Sequence, residues 1–258
     1  MNQLRARPAV LDRAEPDERS QALALAALWA GDLLDAVQLH PGERVLDLTC
    51  GTSLVARTAA SLVLPGGTVA GIDLTDPALA VARGAGSDLP FGDASFDAVI
   101  CLQGLPLLPD RGWALAEMHR VLAPQGRVAV SVWGRIERCP AFAALSDSLE
   151  RHAGVRVAAA VRWRFALPEP GDLRASLAGA GFDDIRVRAA TKTSRVPSVT
   201  ELVRRYAPRF PVGSAAAHLS DDDALKLVAE LETELAPWVD EAGLRVEVEA
   251  NTGVARRI

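Results

Sequence analysis

The stretch VLDLTCGTSLVA, from Val45 to Ala56, decides the fold class of this chain. An apolar run ends in Asp47, a short loop of small residues follows, and an apolar helical pattern begins after Ser53. A strand that ends in an acid and turns into a helix lets backbone N–H groups approach a ligand closely. Thr49 is β-branched and fits poorly where the freedom of glycine is needed. The stretch therefore predicts either a nucleotide-type binding turn or a plain strand-to-helix turn capped by Thr or Ser.

On both sides of this stretch, short apolar runs alternate with amphipathic helical segments. The predicted strands cover residues 44–48, 67–74, 96–102 and 127–133. The predicted helices between them cover residues 53–63, 76–83 and 113–122. Strands rich in Val, Ile and Leu, each followed by a helix, are typical of βαβ units in a parallel sheet that is buried on both faces. The sequence therefore predicts an α/β fold, a Rossmann-like and mostly parallel sheet with helices on both faces.

The rest of the chain adds elements before the first strand and after the fourth. Helical patterns cover residues 20–37, 139–154, 171–182, 198–208 and 220–239, and strand patterns cover 183–193 and 244–258. We predict an N-terminal helical segment at 1–39 and a cofactor-binding core at 40–134. Residues 135–258 are predicted to hold the remaining core strands, within about 171–192 and 244–258, and helical cap insertions at about 140–166 and 197–240. Such a cap would lie over the carboxyl ends of the strands, where open α/β sheets bind ligands.

Composition excludes several classes of protein. The net charge of −5 and the pI near 5.5 argue against nucleic-acid binding, which needs a basic face. The longest apolar run near the start is about half of what a membrane span needs, and no signal-peptide pattern opens the chain. Cys50, Cys101 and Cys139 are widely spaced and lack nearby histidines, which suits a reducing cytoplasm and predicts no metal site. We expect a cytoplasmic protein with a small-molecule substrate; nothing in the sequence indicates its oligomeric state.

Asp73 is the second candidate for ligand binding. It ends the second predicted strand more than twenty residues after the first loop. An acid at this place accepts hydrogen bonds from the hydroxyl groups of a ribose. The alternative is a helix N-cap, although Thr75 or Asp76 beside Pro77 would serve that role better.

Together these motifs resemble the class I S-adenosylmethionine-dependent methyltransferases, in particular the small-molecule branch with the ubiquinone and menaquinone C-methyltransferases. The resemblance is carried by the runs RVLDLTCGTSLVA, GTVAGIDLTDPALAVAR, DLPFGDASFDAVICLQGL and ALAEMHRVLAPQGRVAVSVW. It implies S-adenosylmethionine as cofactor. It assigns the methionine moiety to the first loop, with Asp47, Thr49, Cys50, Gly51 and Ser53. The ribose is assigned to Asp73, the adenine to Leu74 beside it, and the surroundings of the sulfonium and the substrate entrance to Leu102 and Gln103.

Three departures from the family pattern stand out. Thr49 and Ser53 occupy positions where the family has glycine, and Gln125 replaces a glycine in the turn APQG. The family also has about a dozen more residues between AVAR and DLPF, with a third strand and an acid that contacts adenine. We therefore expect a missing or shortened edge strand, and Asp88, with Leu89 beside it, is the candidate to replace that acid.

A substrate pocket and a general base are the remaining elements to be assigned. Aromatic side chains on the N-terminal helix and in the predicted cap suit a hydrophobic small molecule, although core packing is the alternative for each. The pocket candidates are Trp29, Gln103, Trp133, Arg135 and Tyr206. Among the histidines, His40, His119, His152 and His218, none has a partner visible in the sequence, and His152 is the weak candidate for a catalytic base.

The predicted function is transfer of a methyl group from S-adenosylmethionine to a small hydrophobic metabolite, by O- or C-methylation, in secondary metabolism or quinone-like chemistry. Thr49, Ser53 and the short segment before Leu89 leave two alternatives open. The first is a cyclisation, elimination or rearrangement on the same fold with weakened or lost cofactor binding. The second is a non-catalytic partner subunit, because a fold does not determine a function.

Overall fold

The computed structural model describes residues 28–48, 54–72, 89–206 and 221–258. Helix α1 covers residues 28–37 and is followed by β1 (Arg44–Asp47), α2 (Leu54–Leu62), β2 (Thr68–Gly71) and β3 (Phe96–Leu102). Next come α3 (Arg111–Val121), β4 (Leu122–Trp133), α4 (Pro140–Ala153), α5 (Val155–Arg162) and α6 (Pro170–Gly179). The last elements are β5 (Asp183–Val196), α7 (Val199–Tyr206), α8 (Asp221–Glu234), β6 (Val239–Asp240) and β7 (Gly243–Arg256).

The strands described form one mixed sheet in the order β2-β1-β3-β4-β7-β5, with β6 paired to β7. Strands β1 to β4 are mutually parallel, and β7 pairs in antiparallel fashion with β4, β5 and β6. Within the described ranges β7 is therefore the strand that opposes the common direction. The predicted α/β, Rossmann-like and mostly parallel sheet is confirmed.

Helices cover both faces of the sheet because alternate side chains of each strand point to opposite faces. On one face, Val45 of β1 and Ile100 of β3 pack with Leu33 of α1. On the other face, Val99 of β3 packs with Met118 of α3 and with helix α6. A third apolar cluster lies around the end of β4 and joins α4, α5 and α8. These layers bury the central strands on both sides, as a parallel sheet requires.

Some boundaries differ from the sequence-based expectation. Strand β4 begins at Leu122 rather than at residue 127, and β5 continues to Val196 instead of ending at residue 193. The helix predicted at 139–154 ends at Ala153, and a separate helix, α5, follows it. Gly154, with φ of +87°, allows the chain to end one helix and start the next.

The shortened segment before Leu89 was predicted to remove or reduce an edge strand. Residues 73–88, which contain that segment, lie outside the described residues. The prediction about the edge strand therefore stays a prediction. Gln125, in the turn within β4, has φ of +67°, the left-handed conformation that explains why glycine is usual there.

Candidate functional site

The site is built at the edge of the sheet where the parallel strands end. Asp47 is the last residue of β1, and it lies opposite Gly71 of β2 and Ile100 of β3. In the same way Leu102, at the end of β3, lies opposite Ser131 of β4. The carboxyl ends of four strands thus meet at one edge, which is where open α/β sheets bind ligands.

Asp47 is the acid of this edge, and it is 1% exposed. Its backbone carbonyl accepts a hydrogen bond from the N–H of Ile72 at 2.8 Å, which ties the exit of β2 to the end of β1. The N–H of Leu48 donates to the carbonyl of Ile100 at 3.0 Å and continues the pairing past the strand. A carboxylate buried this deeply needs hydrogen bonds or a cationic partner, because burying a bare charge is costly.

Several predicted cofactor residues fall outside the described residues. They are Thr49, Cys50, Gly51 and Ser53 in the first loop, and Asp73, Leu74 and Asp88 in the segment after β2. The structure does describe the residues on either side of both segments. Leu48 and Leu54 flank the first loop, and Ile72 and Leu89 flank the second segment.

Leu89 is 3% exposed and packs in the core on the α3 face. Its backbone N–H donates to Glu117 Oε2 of α3 at 2.6 Å. Glu117 also accepts two hydrogen bonds from Arg120, each at 2.7 Å. The hydrogen bond from Arg120 holds the pKa of Glu117 below its usual value, against the opposing effect of burial. A carboxylate and a guanidinium of α3 therefore fix the start of the turn that follows residue 88.

Gln103 follows β3 directly and adopts a left-handed backbone conformation with φ of +57°. Its backbone N–H donates to the carbonyl of Ser131 at 2.8 Å, and its side-chain Nε2 donates to Ser131 Oγ at 3.0 Å. Its Oε1 is buried and has no hydrogen-bond partner among the residues that the structure describes. Thr252 Oγ1 of β7 also donates to Ser131 Oγ, at 3.3 Å.

Aromatic rings from four elements surround the end of β4. The Trp133 centroid lies 6.5 Å from that of Trp29 in α1, 6.5 Å from Phe142 in α4 and 6.4 Å from Phe165. Tyr206 of α7 contacts Phe142 edge-on at 5.1 Å. Trp29, Trp133, Phe142 and Phe165 are each less than 8% exposed, so the cluster is a packed apolar wall. The contacts observed are those of core packing, and the lining of a substrate pocket by Trp29, Trp133 and Tyr206 stays a prediction.

The loop between β4 and α4 is held by ion pairs and a thiol. Arg135 is exposed and pairs with Glu169, whereas Arg138 Nη1 pairs with Glu249 Oε2 of β7 at 2.9 Å. The N–H of Glu249 donates to Cys139 Sγ at 3.4 Å. Burial raises the pKa of the Cys139 thiol to about 11, so the thiol stays protonated near neutral pH.

The three histidines that the structure describes lie in different settings. His152 Nε2, near the end of α4, contacts Glu230 Oε2 of α8 at 2.6 Å. His119 packs edge-on against Phe182 at 5.1 Å, and burial lowers its pKa. His40 belongs to the turn before β1, and His218 lies outside the described residues. The structure thus gives His152 a partner on a neighbouring helix, a contact that the sequence did not reveal.

The described ranges contain neither a candidate membrane-spanning helix nor a candidate metal centre. No helix within them has the length and apolar character to cross a membrane. Nor do these ranges contain a group of three or more His, Cys, Asp or Glu side chains arranged to hold a metal ion.

The chain is similar to known methyltransferases. A family profile described as "Methyltransferase domain" matches residues 46–130, which run from β1 into β4. Nocamycin O-methyltransferase from Saccharothrix syringae is 30% identical over 197 residues, which cover 66% of this chain and 70% of that protein. Demethylmenaquinone methyltransferase from Geobacillus kaustophilus is 38% identical over 113 residues, which cover 38% of this chain and 48% of that protein.

Solved structures agree on the fold. A candidate methyltransferase of an antibiotic biosynthesis pathway from Anabaena variabilis superposes with a TM-score of 0.58, at 14% identity. The superposition covers 91% of this chain and 99% of that one, and at this identity it supports the fold alone. The family profile covers the strand ends at which Asp47 and Gln103 lie, and the O-methyltransferase relative extends the match over most of the chain. The protein therefore belongs to the class I S-adenosylmethionine-dependent methyltransferase family.

Proposed function

We propose that the protein methylates a small, largely apolar metabolite held over the carboxyl ends of β3 and β4. One observation carries this proposal: the buried acid Asp47, the amide of Gln103 and the aromatic cluster around Trp133 share one edge of the sheet. A cationic methyl donor suits the acid, and an apolar acceptor suits the aromatic wall.

S-adenosylmethionine supplies a methyl group that is already activated on a sulfonium. The residues that we propose to hold it are Asp47 for the amino group of the methionine moiety, and Asp73 for the ribose. A buried carboxylate at a strand end has the charge and hydrogen-bonding capacity that an ammonium group needs, so Asp47 fits this role. We further propose that Thr49, Cys50, Gly51 and Ser53 approach the methionine moiety, and that Leu74, Asp88 and Leu89 line the adenine.

The chain's own contribution is alignment and the exclusion of water. Trp29 and Trp133 pack edge to face and are almost fully buried, so they exclude water from the end of β4 on the α1 side. Dry surroundings strengthen the interactions around a charged sulfur, and a fixed approach removes most of the entropic cost of bringing two reactants together. We assign no histidine as the general base, because His152 contacts Glu230 and His119 packs against Phe182.

The names of the two relatives support the substrate class. One is described as a nocamycin O-methyltransferase and the other as a demethylmenaquinone methyltransferase. Both names refer to small metabolites, which agrees with the apolar wall at β4. We propose a ring-containing metabolite methylated at oxygen or carbon. We also propose that the chain divides into a helical segment at 1–39, a core at 40–134 and a capped remainder at 135–258. We further propose a cytoplasmic location, because Cys101 and Cys139 would stay free thiols in that reducing compartment.

Incubation of the purified protein with methyl-labelled S-adenosylmethionine and a panel of naphthols and naphthohydroquinones tests the proposal. The expected result is label in the acceptor together with release of S-adenosylhomocysteine, both lost in Asp47→Asn. Consumption of an acceptor without a gain of label would instead favour a cyclisation, elimination or rearrangement. That outcome would indicate that Thr49 and Ser53, which occupy positions where the family has glycine, weaken cofactor binding.

A further inference from the structure

Three polar side chains, Gln103 after β3, Ser131 of β4 and Thr252 of β7, are joined by hydrogen bonds. Gln103 Nε2 donates to Ser131 Oγ at 3.0 Å, and Thr252 Oγ1 donates to the same oxygen at 3.3 Å. Ser131 is fully buried in the part of β4 that is otherwise apolar, from Val128 to Trp133. A hydroxyl in such a place is costly unless it is hydrogen-bonded, and here Gln103 and Thr252 both donate to its oxygen.

This chain of contacts sets the orientation of the Gln103 amide. The amide nitrogen faces Ser131, so the buried Oε1 has no partner among the described residues. The reverse orientation would leave the amide nitrogen, which carries two N–H donors, without Ser131 as a partner. One unpaired acceptor costs less than two unpaired donors, so Ser131 and Thr252 favour the orientation in which Gln103 presents an oxygen.

A second unpartnered polar atom lies on the same face of the sheet. Trp29 is 1% exposed, and its Nε1–H has no hydrogen-bond partner among the described residues. Its ring packs against Trp133, and Trp133 points to the same face as Ser131 because the two residues are two apart in β4. This face of the sheet therefore carries a buried acceptor and a buried donor, each of which is destabilising when it is left unpaired.

We infer that Gln103 Oε1 accepts a hydrogen bond from a neutral hydroxyl of the substrate, and that Ser131 and Thr252 are positioning residues that hold the amide for this contact. Trp29 Nε1 donates to an oxygen acceptor of the same molecule. The substrate is thus an apolar ring compound with one hydroxyl donor and one oxygen acceptor. The inference rests on the proposed function, because it places the acceptor substrate beside Gln103.

The consequence is a specificity rule. A site with a buried acceptor rejects an analogue that lacks the donor, since the acceptor is then left unpaired. The loss of one such hydrogen bond corresponds to roughly a tenfold or greater change in affinity. The amide would contribute little to this selection if it rotated freely, and Ser131 prevents that rotation.

The test compares the binding of 1-naphthol and 1-methoxynaphthalene, which differ in the donor, by titration calorimetry at pH 7, where a phenolic hydroxyl is neutral. We expect the wild type to bind 1-naphthol roughly ten times more tightly. Gln103→Leu and Ser131→Ala should reduce this ratio to within about twofold. Thr252→Val should lower it and Thr252→Ser should restore it, because Ser keeps the hydroxyl. Ser148→Ala, at a buried serine of α4, is the matched control and should keep the full ratio.

Binding is measured separately from turnover, so the proposed methyl transfer and the specificity set by Gln103 can be contradicted independently. If the preference for 1-naphthol depends on Gln103 but the protein transfers no methyl group, the result contradicts the proposed function and supports this inference. Equal affinity for the two probes, no binding of either, or an unchanged ratio in Gln103→Leu would overturn the inference. An equal loss in Ser148→Ala would overturn the positioning role. If Ser131→Ala fails to fold, the pair Thr252→Val and Thr252→Ser decides that role.

Discussion

Glu117 Oε2 accepts a hydrogen bond from the backbone N–H of Leu89 at 2.6 Å. The same carboxylate pairs with Arg120, one turn along α3. Arg120 Nη1 in turn donates to the carbonyl of Phe91 at 3.0 Å, and Nη2 to that of Leu89 at 3.4 Å. Two side chains of one helix thereby hold the turn that follows the proposed adenine-binding segment, and we expect Glu117 to contribute to stability through these contacts.

Replacing Glu117 with Ala should destabilise the fold. We expect the free energy of unfolding to fall by about 2–3 kcal/mol, because a buried backbone N–H and a guanidinium both lose a charged acceptor. Urea denaturation measures this loss. Asp93→Ala is the matched control, since Asp93 pairs with the same Arg120 but is 75% exposed, and it should cost less than about 1 kcal/mol. Equal losses in the two variants would contradict the role of Glu117.

The same carboxylate predicts a dependence of stability on pH. The pKa of Glu117 is lower in the folded protein than its usual value of 4.5, first because of the hydrogen bond from Arg120. Its contribution is therefore fully present above pH 4.5 and is lost as the pH falls through the lowered pKa. The stability gap between the wild type and Glu117→Gln should narrow over that range in urea titrations. A gap that stays constant from neutral pH to acid would contradict the assignment.

Gly134 is the point at which the loop after β4 passes Glu249. A Cβ at this position would lie 2.6 Å from Glu249 Oε1 and 2.7 Å from its Cγ. Gly134→Ala should push Glu249 away from Arg138 and lower the free energy of unfolding by about 1–3 kcal/mol. We also expect a higher KM with little change in kcat, because Arg135 next to it is a pocket residue predicted from the sequence.

Gly179→Ala is the control for this substitution, since no atom beyond the adjoining residues and backbone of its own helix lies within 4 Å of the added Cβ. It should leave the KM unchanged and stabilise the protein by about 0.4–1 kcal/mol. Thermal unfolding and steady-state kinetics measure both variants. A Gly134→Ala protein as stable as Gly179→Ala would show that Glu249 does not hold the loop.

His152 is the candidate for a catalytic base that the sequence offered, and its replacement tests that role. It contacts Glu230 at 2.6 Å, and this hydrogen bond is the first cause of the lowered pKa of Glu230. We expect His152→Gln to change kcat by less than about twofold and to cost at most about 1 kcal/mol of stability. Loss of a general base would lower kcat by about 10²-fold or more, so a rate measurement separates the two roles.

The strands and helices could be predicted wherever their burial produces a recognisable run of apolar residues in the sequence. The run FDAVICL was predicted as a strand at 96–102, and β3 covers these same residues. A central parallel strand is apolar on both faces, so a continuous apolar run identifies it. Helix α5 was missed because Gly154 ends one helix and begins the next, which leaves no polar loop between them.

The site was harder to predict because its contacts join distant parts of the chain. Gln103 was identified by resemblance, but its hydrogen bond to Ser131 spans 28 positions, and no local pattern pairs the two. Thr252 lies far beyond both in sequence and meets Ser131 only through the antiparallel pairing of β4 with β7. One signal was visible: Ser131 interrupts the apolar run RVAVSVW, and a polar residue in a central strand needs a partner.

Calorimetric titration of S-adenosylmethionine and S-adenosylhomocysteine into the purified protein measures whether the chain binds a methyl donor. We expect binding in the micromolar range by the wild type. We also expect a loss of at least about tenfold in Asp47→Asn and in Asp73→Ala, because each removes a charged acceptor. The contradicting result is no binding by the wild type, with binding regained in the double variant Thr49→Gly/Ser53→Gly.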